Sequence, residues 1–172
     1  MDNLSPAINK TKIKRERIIT ENGFIKNVTK KTVFEILRDI TDPEHPYTLE
    51  ELSVISLKNI EIFKKEKNQD NMCLKGLPID TIRIIFTPTV PHCSLVGIIA
   101  LCIFHQLYVN IKGFIFQVQI EYDTHSQAEM YTKQFTDEER ILAAFENESI
   151  IEIIKNCTEN TFSCEKEFKN KV

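Results

Sequence analysis

Cys93 is the side chain in this 172-residue chain whose position points most directly to chemistry. A loop with two prolines, Pro88 and Pro91, precedes it, and an apolar stretch over 94–108 that predicts a helix follows it. Unpaired N–H groups and the positive end of the helix dipole stabilise a thiolate there, lowering a thiol pKa from about 8.5 to roughly 3.5–7.5. We therefore expect Cys93 to bind a metal or attack an electrophile, the alternative being a small buried apolar side chain.

The other four cysteines occupy positions that favour other roles. Cys102 lies on the apolar face of the predicted helix and is expected in the core. Cys73 lies in a polar loop, and Cys157 and Cys164 lie near the C-terminus. An odd number of cysteines leaves one unpaired in any disulfide scheme, and the first residues carry no apolar run typical of a secretory signal. We therefore expect free thiols in the cytosol.

Three histidines fall in predicted loops and can meet Cys93 in space: His45, His92 and His125. A cysteine beside a histidine also fits nucleophilic catalysis, with Cys93 as nucleophile and His92 or His125 as base. The chain has no C-x-x-C or H-E-x-x-H spacing, so it lacks a self-contained zinc or iron-sulfur ligand set. A stable cluster would need ligands from a second chain.

Two carboxylates flank a proline early in the chain. Asp42 and Glu44, on either side of Pro43, are suited to holding a metal, binding a helix terminus or simply forming a turn. Only four glycines occur, and none forms a phosphate-binding loop, so nucleotide binding of that type is excluded.

The elements that must position these residues follow from the spacing of apolar residues. The predicted order is a helix over 31–40, a capping box at 48–51, strands over 53–63 and 79–86, the helix over 94–108, a strand over 114–121, a helix opened by a second capping box at 136–139, and a last helix over 149–157. Polar loops are expected over 64–75 and 123–134. This order predicts an α/β (α+β-like) fold, a small mixed β-sheet covered by helices in a single compact domain.

Composition and charge narrow the classes of function. With 42% hydrophobic and 27% charged residues, the chain resembles soluble globular proteins. The first 31 residues carry a net charge of +5 and the remainder −8, for a total of −3. An acidic body argues against direct nucleic-acid binding, and the apolar stretch over 95–109 is too short to span a membrane. We expect a flexible basic arm over 1–30, a folded domain over 31–157 and a C-terminal tail over 158–172.

Three blocks of the sequence resemble the motifs of a known protein family. They read DPEHPYTLEEL at 42–52, FTPTVPHCS at 86–94 and DEERILAAFEN at 137–147. In this order they resemble the signature blocks of the eukaryotic cytosolic iron-sulfur assembly component 2 family, and the similarity runs from about Val33 to Cys157. The resemblance implies an α/β domain that is an adaptor rather than an enzyme and that helps deliver iron-sulfur clusters to apoproteins.

The resemblance also implies partners and site residues. The expected partners are a WD-repeat propeller protein, a HEAT-repeat protein and client apo iron-sulfur proteins, in the cytoplasm and also the nucleus, with a homodimer as a further expectation and no membrane. No cluster is expected to stay bound to the lone chain, although a transient one would use Cys93 as its ligand. The reactive thiol falls on Cys93 and the D-P-E motif on Asp42, Pro43 and Glu44. The expected supporting residues are Thr87, Thr89, Pro91, His92 and Ser94 around the thiol, and His45, His125, Glu139 and Arg140 elsewhere.

Two other hypotheses stay open beside the adaptor. One is a cysteine-dependent enzyme of thioester or redox chemistry with Cys93 as nucleophile. The other is an interaction domain whose cysteine is inert.

Overall fold

A computed structural model describes residues 7–9, 12–64, 80–92 and 95–164. Cys93 and Ser94 lie outside the described residues, as does the predicted polar loop at 64–75 apart from Lys64. Of the helices in the described parts, none combines the length and apolar character needed to cross a membrane.

The elements run in the following order. They are β1 (Thr20–Glu21), β2 (Phe24–Ile25), α1 (Lys30–Leu37), a short 3-10 helix (Leu57–Asn59), β3 (Ile60–Phe63), β4 (Thr81–Phe86), α2 (Val96–Asn110), β5 (Ile115–Ile120), α3 (Ala128–Gln134), α4 (Glu138–Glu146) and α5 (Glu148–Cys157).

The main sheet is mixed, as the sequence predicts. Its strand order is β3-β4-β5, with β3 antiparallel and β5 parallel to the central β4. Ile82, Ile84 and Phe86 of β4 are fully buried, which is why this strand reads as an apolar run. A parallel pair needs a crossover connection, and α2 supplies it between β4 and β5. Helix α2 also contacts α1 and α5, so it lies at the centre of the helical layer.

Two predicted segments differ in detail from the structure. Of the strand predicted over 53–63, only Ile60–Phe63 is extended. The loop predicted over 123–134 ends in helix α3, which the sequence analysis missed because none of its seven residues is buried and no apolar period marks it.

The two predicted capping boxes also have different outcomes. At the first, Thr48 and Glu51 bond reciprocally as predicted, and one helical turn follows, in which the Leu52 N–H donates to the Thr48 carbonyl at 3.0 Å before Ser53 takes a φ of 55°. At the second, the N-cap of α4 is Asp137, whose carboxylate accepts from the Arg140 N–H. Thr136 instead donates its hydroxyl to the carbonyl of Lys133 at the end of α3.

Residues 12–25 lie against the domain, which differs from the flexible arm predicted over 1–30. The N–H of Ile13 donates to Glu50 Oε1 at 2.8 Å, and its carbonyl accepts from Arg38 Nη2 at 2.7 Å. The exposed Arg15 pairs with Asp39 at 2.6 Å. Strands β1 and β2 follow as a hairpin. Besides these backbone and charged groups, Ile25 is buried in the core and Ile18 packs against it, but two apolar residues seven positions apart do not form a regular spacing that predicts an element.

The C-terminal segment packs on the domain as far as Cys164. Thr161 and Cys164 are buried, and the N–H of Cys164 donates to Asn110 Oδ1 at 2.9 Å. Residues 158–164 of the tail predicted over 158–172 are therefore part of the folded domain. Asn110 is the last residue of α2, and its buried amide supplies the acceptor that fixes the segment.

Candidate functional site

The loop after β4 carries the residues predicted around the thiol. Thr87 donates its N–H to the carbonyl of Val54 at 2.9 Å and its hydroxyl to the carboxylate of Glu121. The hydroxyl of Thr89 is buried, with no hydrogen-bond partner among the described residues. The first residues of the loop are therefore held on both sides, by the turn before β3 and by the segment after β5.

The segment after β5 completes this arrangement. The N–H of Ser126 donates to the carbonyl of Pro91 at 3.1 Å, and Ser126 Oγ lies 3.3 Å from Nδ1 of the exposed His92. Since β4 and β5 are parallel, their carboxyl ends meet at one edge of the sheet, where α/β sheets commonly bind their ligands. Residues 87–92 and 121–127 form what we call the thiol loop site.

His125 lies in the same site. Its side chain is buried, and its Nδ1 accepts a hydrogen bond from the N–H of Gln127 at 3.1 Å. The ring meets Tyr131 edge to face, with centroids 5.6 Å apart. Because an N–H only donates, Nδ1 of His125 must be the acceptor, so its Nε2 carries the proton. In this arrangement His125 is a hydrogen-bond donor.

Cys93 itself lies outside the described residues, so its thiolate character stays a prediction. Its neighbour His92 is described, and α2 begins at Val96, three residues beyond the cysteine. Helix α2 therefore begins two residues later than the start predicted at Ser94. Both flanks of the predicted thiol are anchored in the fold.

The D-P-E motif forms a turn of its own. Asp42 is buried, and its Oδ1 accepts the N–H groups of Glu44 at 2.8 Å and His45 at 2.9 Å. His45 Nδ1 also lies 3.1 Å from the same oxygen. The N–H of the preceding Thr41 donates to the carbonyl of Cys157, which sets the motif against the end of α5. Of the alternatives for Asp42 and Glu44, the structure supports a turn-forming role for Asp42.

The remaining predicted residues lie elsewhere. Glu139 and Arg140 are exposed on the first turn of α4, where Arg140 Nε pairs with Asp137 at 2.9 Å. The described residues contain no group of three or more histidine, cysteine, aspartate or glutamate side chains arranged to hold a metal ion.

Comparisons with known proteins identify the family. No family model matches the chain. It is 36% identical over 148 residues to the MIP18 family protein galla-2 of Drosophila melanogaster, covering 83% of this chain and 86% of that protein. It is 34% identical over 132 residues to cytosolic iron-sulfur assembly component 2B of Mus musculus, covering 76% and 73%. The chain belongs to the cytosolic iron-sulfur assembly component 2 and MIP18 family. The resemblance found in the three motif blocks is therefore confirmed.

The motif blocks of this family member have distinct places in the fold. The first forms the Asp42 turn and the capped turn at Thr48, the second begins at the end of β4, and the third is helix α4 with its caps Asp137 and Asn147. Glu121 and Ser126 hold the second block but belong to none of the three motif blocks, so the motifs did not indicate them. Only their position in the chain could have indicated them, because polar residues that follow a strand parallel to β4 lie at the same edge of the sheet as the loop after β4.

Proposed function

We propose that the chain is a non-enzymatic adaptor that helps deliver iron-sulfur clusters to apoproteins in the cytosol. The observation that carries this proposal is family membership over most of the chain. The relative in Dictyostelium discoideum named cytosolic iron-sulfur assembly component 2B is 34% identical over 151 residues, covering 87% of this chain and 85% of that protein. Such extended similarity includes all three motif blocks within one fold.

Cys93 is the reactive thiol of the proposed adaptor. Iron-sulfur clusters are held by cysteine thiolates, commonly four of them, so a single cysteine ligates a cluster only together with groups from a partner or client. The cluster is thus cargo that passes through, and the chain alone does not retain it. The hydrogen bonds of Glu121 and Ser126 support this role, because they hold Thr87 and Pro91, which precede Cys93, at the edge of the sheet.

The surface beside the thiol loop site suits contact with partner proteins. An open depression of about 560 Å³ borders it, lined by His125, Ser126 and Lys133 together with two exposed apolar side chains, Tyr122 and Met130. Exposed tyrosine and methionine side chains are enriched where proteins bind one another. The proposed partners are the WD-repeat propeller and HEAT-repeat proteins, and the proposed location is the cytoplasm and nucleus.

We favour the adaptor over the cysteine-enzyme alternative. A general base needs a nitrogen with a free lone pair, and Nδ1 of His125 already accepts a hydrogen bond from Gln127. His92 is exposed and engaged with Ser126. The relatives are named cytosolic iron-sulfur assembly component 2B or MIP18 family protein.

Rescue of depleted cells tests the proposal. In native cells depleted of the protein, the wild-type chain should restore the activity of iron-sulfur client enzymes. Cys93→Ser should fail to restore it while retaining thermal stability and partner binding, because a serine hydroxyl is not ionised near neutral pH and is a poor ligand for iron-sulfur clusters. Cys73→Ser, at a cysteine predicted in a polar loop, is the matched control and should restore activity. Full rescue by Cys93→Ser would show that this thiol has no chemical role. Failure of the wild-type chain to rescue would contradict the assembly function itself.

A further inference from the structure

Strand β5 lies at one edge of the main sheet, so that one of its sides pairs with β4 and the other points away from the sheet. The N–H of Ile115 donates to the carbonyl of Asp80, the residue before β4, at 2.8 Å. Successive backbone N–H groups of a strand point to opposite sides, so the N–H groups of the next even-numbered residues, Phe116 and Val118, point away from β4. These two residues carry the free edge of the sheet.

Little of this free edge is occupied. At its far end, the N–H of Ile120 donates to Oγ1 of Thr132 in α3 at 3.4 Å. Among the residues that the structure describes, none accepts a hydrogen bond from the N–H of Phe116 or Val118. Residues 114–119 also carry no charged side chain and no proline, which are the usual means of preventing an edge strand from pairing. The edge is therefore suited to pairing with a further strand.

A groove of about 270 Å³ borders the free edge. Residues 114–119 all line it, and since neighbouring side chains of a strand alternate between the two faces, a groove lined by all of them lies at the edge of the strand. Its helical wall is aromatic. Tyr108 of α2 contacts Phe116 edge to face with centroids 5.1 Å apart, and Phe135 lines the groove after α3. An apolar side chain of a pairing strand would pack on this wall.

One carboxylate gives the groove a negative charge. Glu138, the first residue of α4, lines the groove and is exposed, and the other described residues that line it are uncharged. Nearby, Arg140 pairs with Asp137 at 2.9 Å, whereas Glu138 has no ion pair with any described residue. A strand that fits the groove therefore has an apolar side chain for the aromatic wall and a lysine or arginine for Glu138.

We propose that the free edge of β5 binds an extended segment of a partner protein, in which lysine or arginine flanks an apolar side chain. The backbone of the segment pairs with Phe116, its apolar side chain packs on Tyr108, and its cation meets Glu138. A second copy of β5 fits less well, because Ile115–Ile120 has no cation to offer Glu138. The groove shares no residue with the thiol loop site, and the proposal does not depend on cluster delivery.

NMR titration of the full chain with a synthetic peptide tests the pairing. The probe is lysine–threonine–isoleucine–threonine–lysine with blocked ends, which places isoleucine and both lysines on one face, so that a lysine reaches Glu138 in either strand direction. We expect the amide signals of Phe116 and Val118 to shift and their hydrogen exchange to slow. The same peptide with N-methyl groups on its three central residues cannot donate the pairing bonds and should not bind. Unchanged Phe116 and Val118 amides at millimolar probe, or equal binding of the methylated peptide, would overturn the proposal.

Two charge reversals test the choice of a basic partner segment. Glu138 and Glu139 are both exposed on the first turn of α4, and of the two Glu138 lines the groove. Glu138→Lys should weaken binding of the lysine probe by about fivefold, the change expected for a surface ion pair, and Glu139→Lys should change it little. A probe with glutamates in place of lysines should prefer Glu138→Lys to the wild type. Equal effects of the two variants would refute the role of Glu138.

Light scattering of the wild-type chain distinguishes the two possible occupants of the edge. A partner segment leaves the isolated chain monomeric through this surface, so adding the lysine probe should not change its molecular mass beyond the mass of the bound peptide. A dimer that forms with increasing concentration and dissociates on addition of the probe would assign the edge to a second copy and overturn the partner segment.

Discussion

Arg38 is the charged side chain around which the N-terminal half of the fold is arranged. It is 1% exposed, and its guanidinium donates to Glu50 at 2.7 and 2.8 Å and to Glu35 at 2.6 Å. Its remaining donation, at 2.7 Å, goes to the carbonyl of Ile13. Burial disfavours the charged form, but the hydrogen bonds that Arg38 donates to Glu50 and Glu35 outweigh this effect and raise the pKa of Arg38. One guanidinium thus joins α1, the capped turn and the N-terminal segment.

Removing this guanidinium should destabilise the protein strongly. Arg38→Ala leaves the buried Glu50 without its counter-charge and Glu35 with only Arg15 at 3.8 Å, for which we expect a loss of about 3 to 5 kcal/mol in the free energy of unfolding. Arg15→Ala breaks the pair of an exposed guanidinium with Asp39 and its longer contact with Glu35, and should cost about 1 kcal/mol. Urea unfolding of both variants measures the difference, and similar losses would contradict this account of the buried network.

At the scale of elements, the capped turn at 48–53 should make stability depend on pH. The backbone N–H of Thr48 donates to the Glu51 carboxylate at 3.0 Å, Lys12 pairs with it at 3.0 Å, and together they lower the pKa of Glu51. A carboxylate with a lowered folded pKa stabilises the protein above its unfolded pKa, and this stabilisation is lost as the pH falls through the folded pKa. Glu51→Gln should therefore cost about 1 kcal/mol at neutral pH.

The comparison of wild type and Glu51→Gln across pH provides the measurement. In acid, below both pKa values of Glu51, the two proteins should have the same dependence of stability on pH and a smaller difference in unfolding free energy. A difference that stays constant from neutral pH into acid would show that the charge of Glu51 contributes nothing.

The N-terminal segment should behave as part of the domain. Deleting residues 2–16 removes the Ile13 groups that serve Glu50 and Arg38, together with the Lys12 and Arg15 ion pairs. A loss of about 2 kcal/mol corresponds to a fall in Tm of about 4 to 8 °C for a domain of this size. Ile13→Ala keeps both backbone hydrogen bonds and should leave the Tm nearly unchanged. An unchanged Tm for the deletion would support the flexible arm predicted from the sequence.

At the scale of the whole molecule, the helices and strands that could be predicted from the sequence are those with regularly spaced apolar residues. Helix α2 and strand β4 are rich in buried apolar residues, and β5 alternates apolar with polar residues, so their types and approximate positions were predictable. Helix α3 buries none of its residues, and residues 12–25 are held by backbone and charged groups together with the scattered apolar residues Ile18 and Ile25, so neither segment shows a regular apolar spacing. The motif blocks identified the family from the sequence. The contribution of Glu121 and Ser126 to the site could be recognised only from the parallel pairing of β4 and β5.

Isolation of the intact chain with its partners tests the central claim most directly. The tagged protein, recovered from its native cells under conditions that preserve complexes and analysed by mass spectrometry, should carry a WD-repeat propeller protein and a HEAT-repeat protein in near-stoichiometric amounts. The Cys93→Ser variant should carry the same two proteins, because the thiol serves the cluster rather than the contacts. Recovery of the wild-type chain with neither partner would contradict the adaptor function.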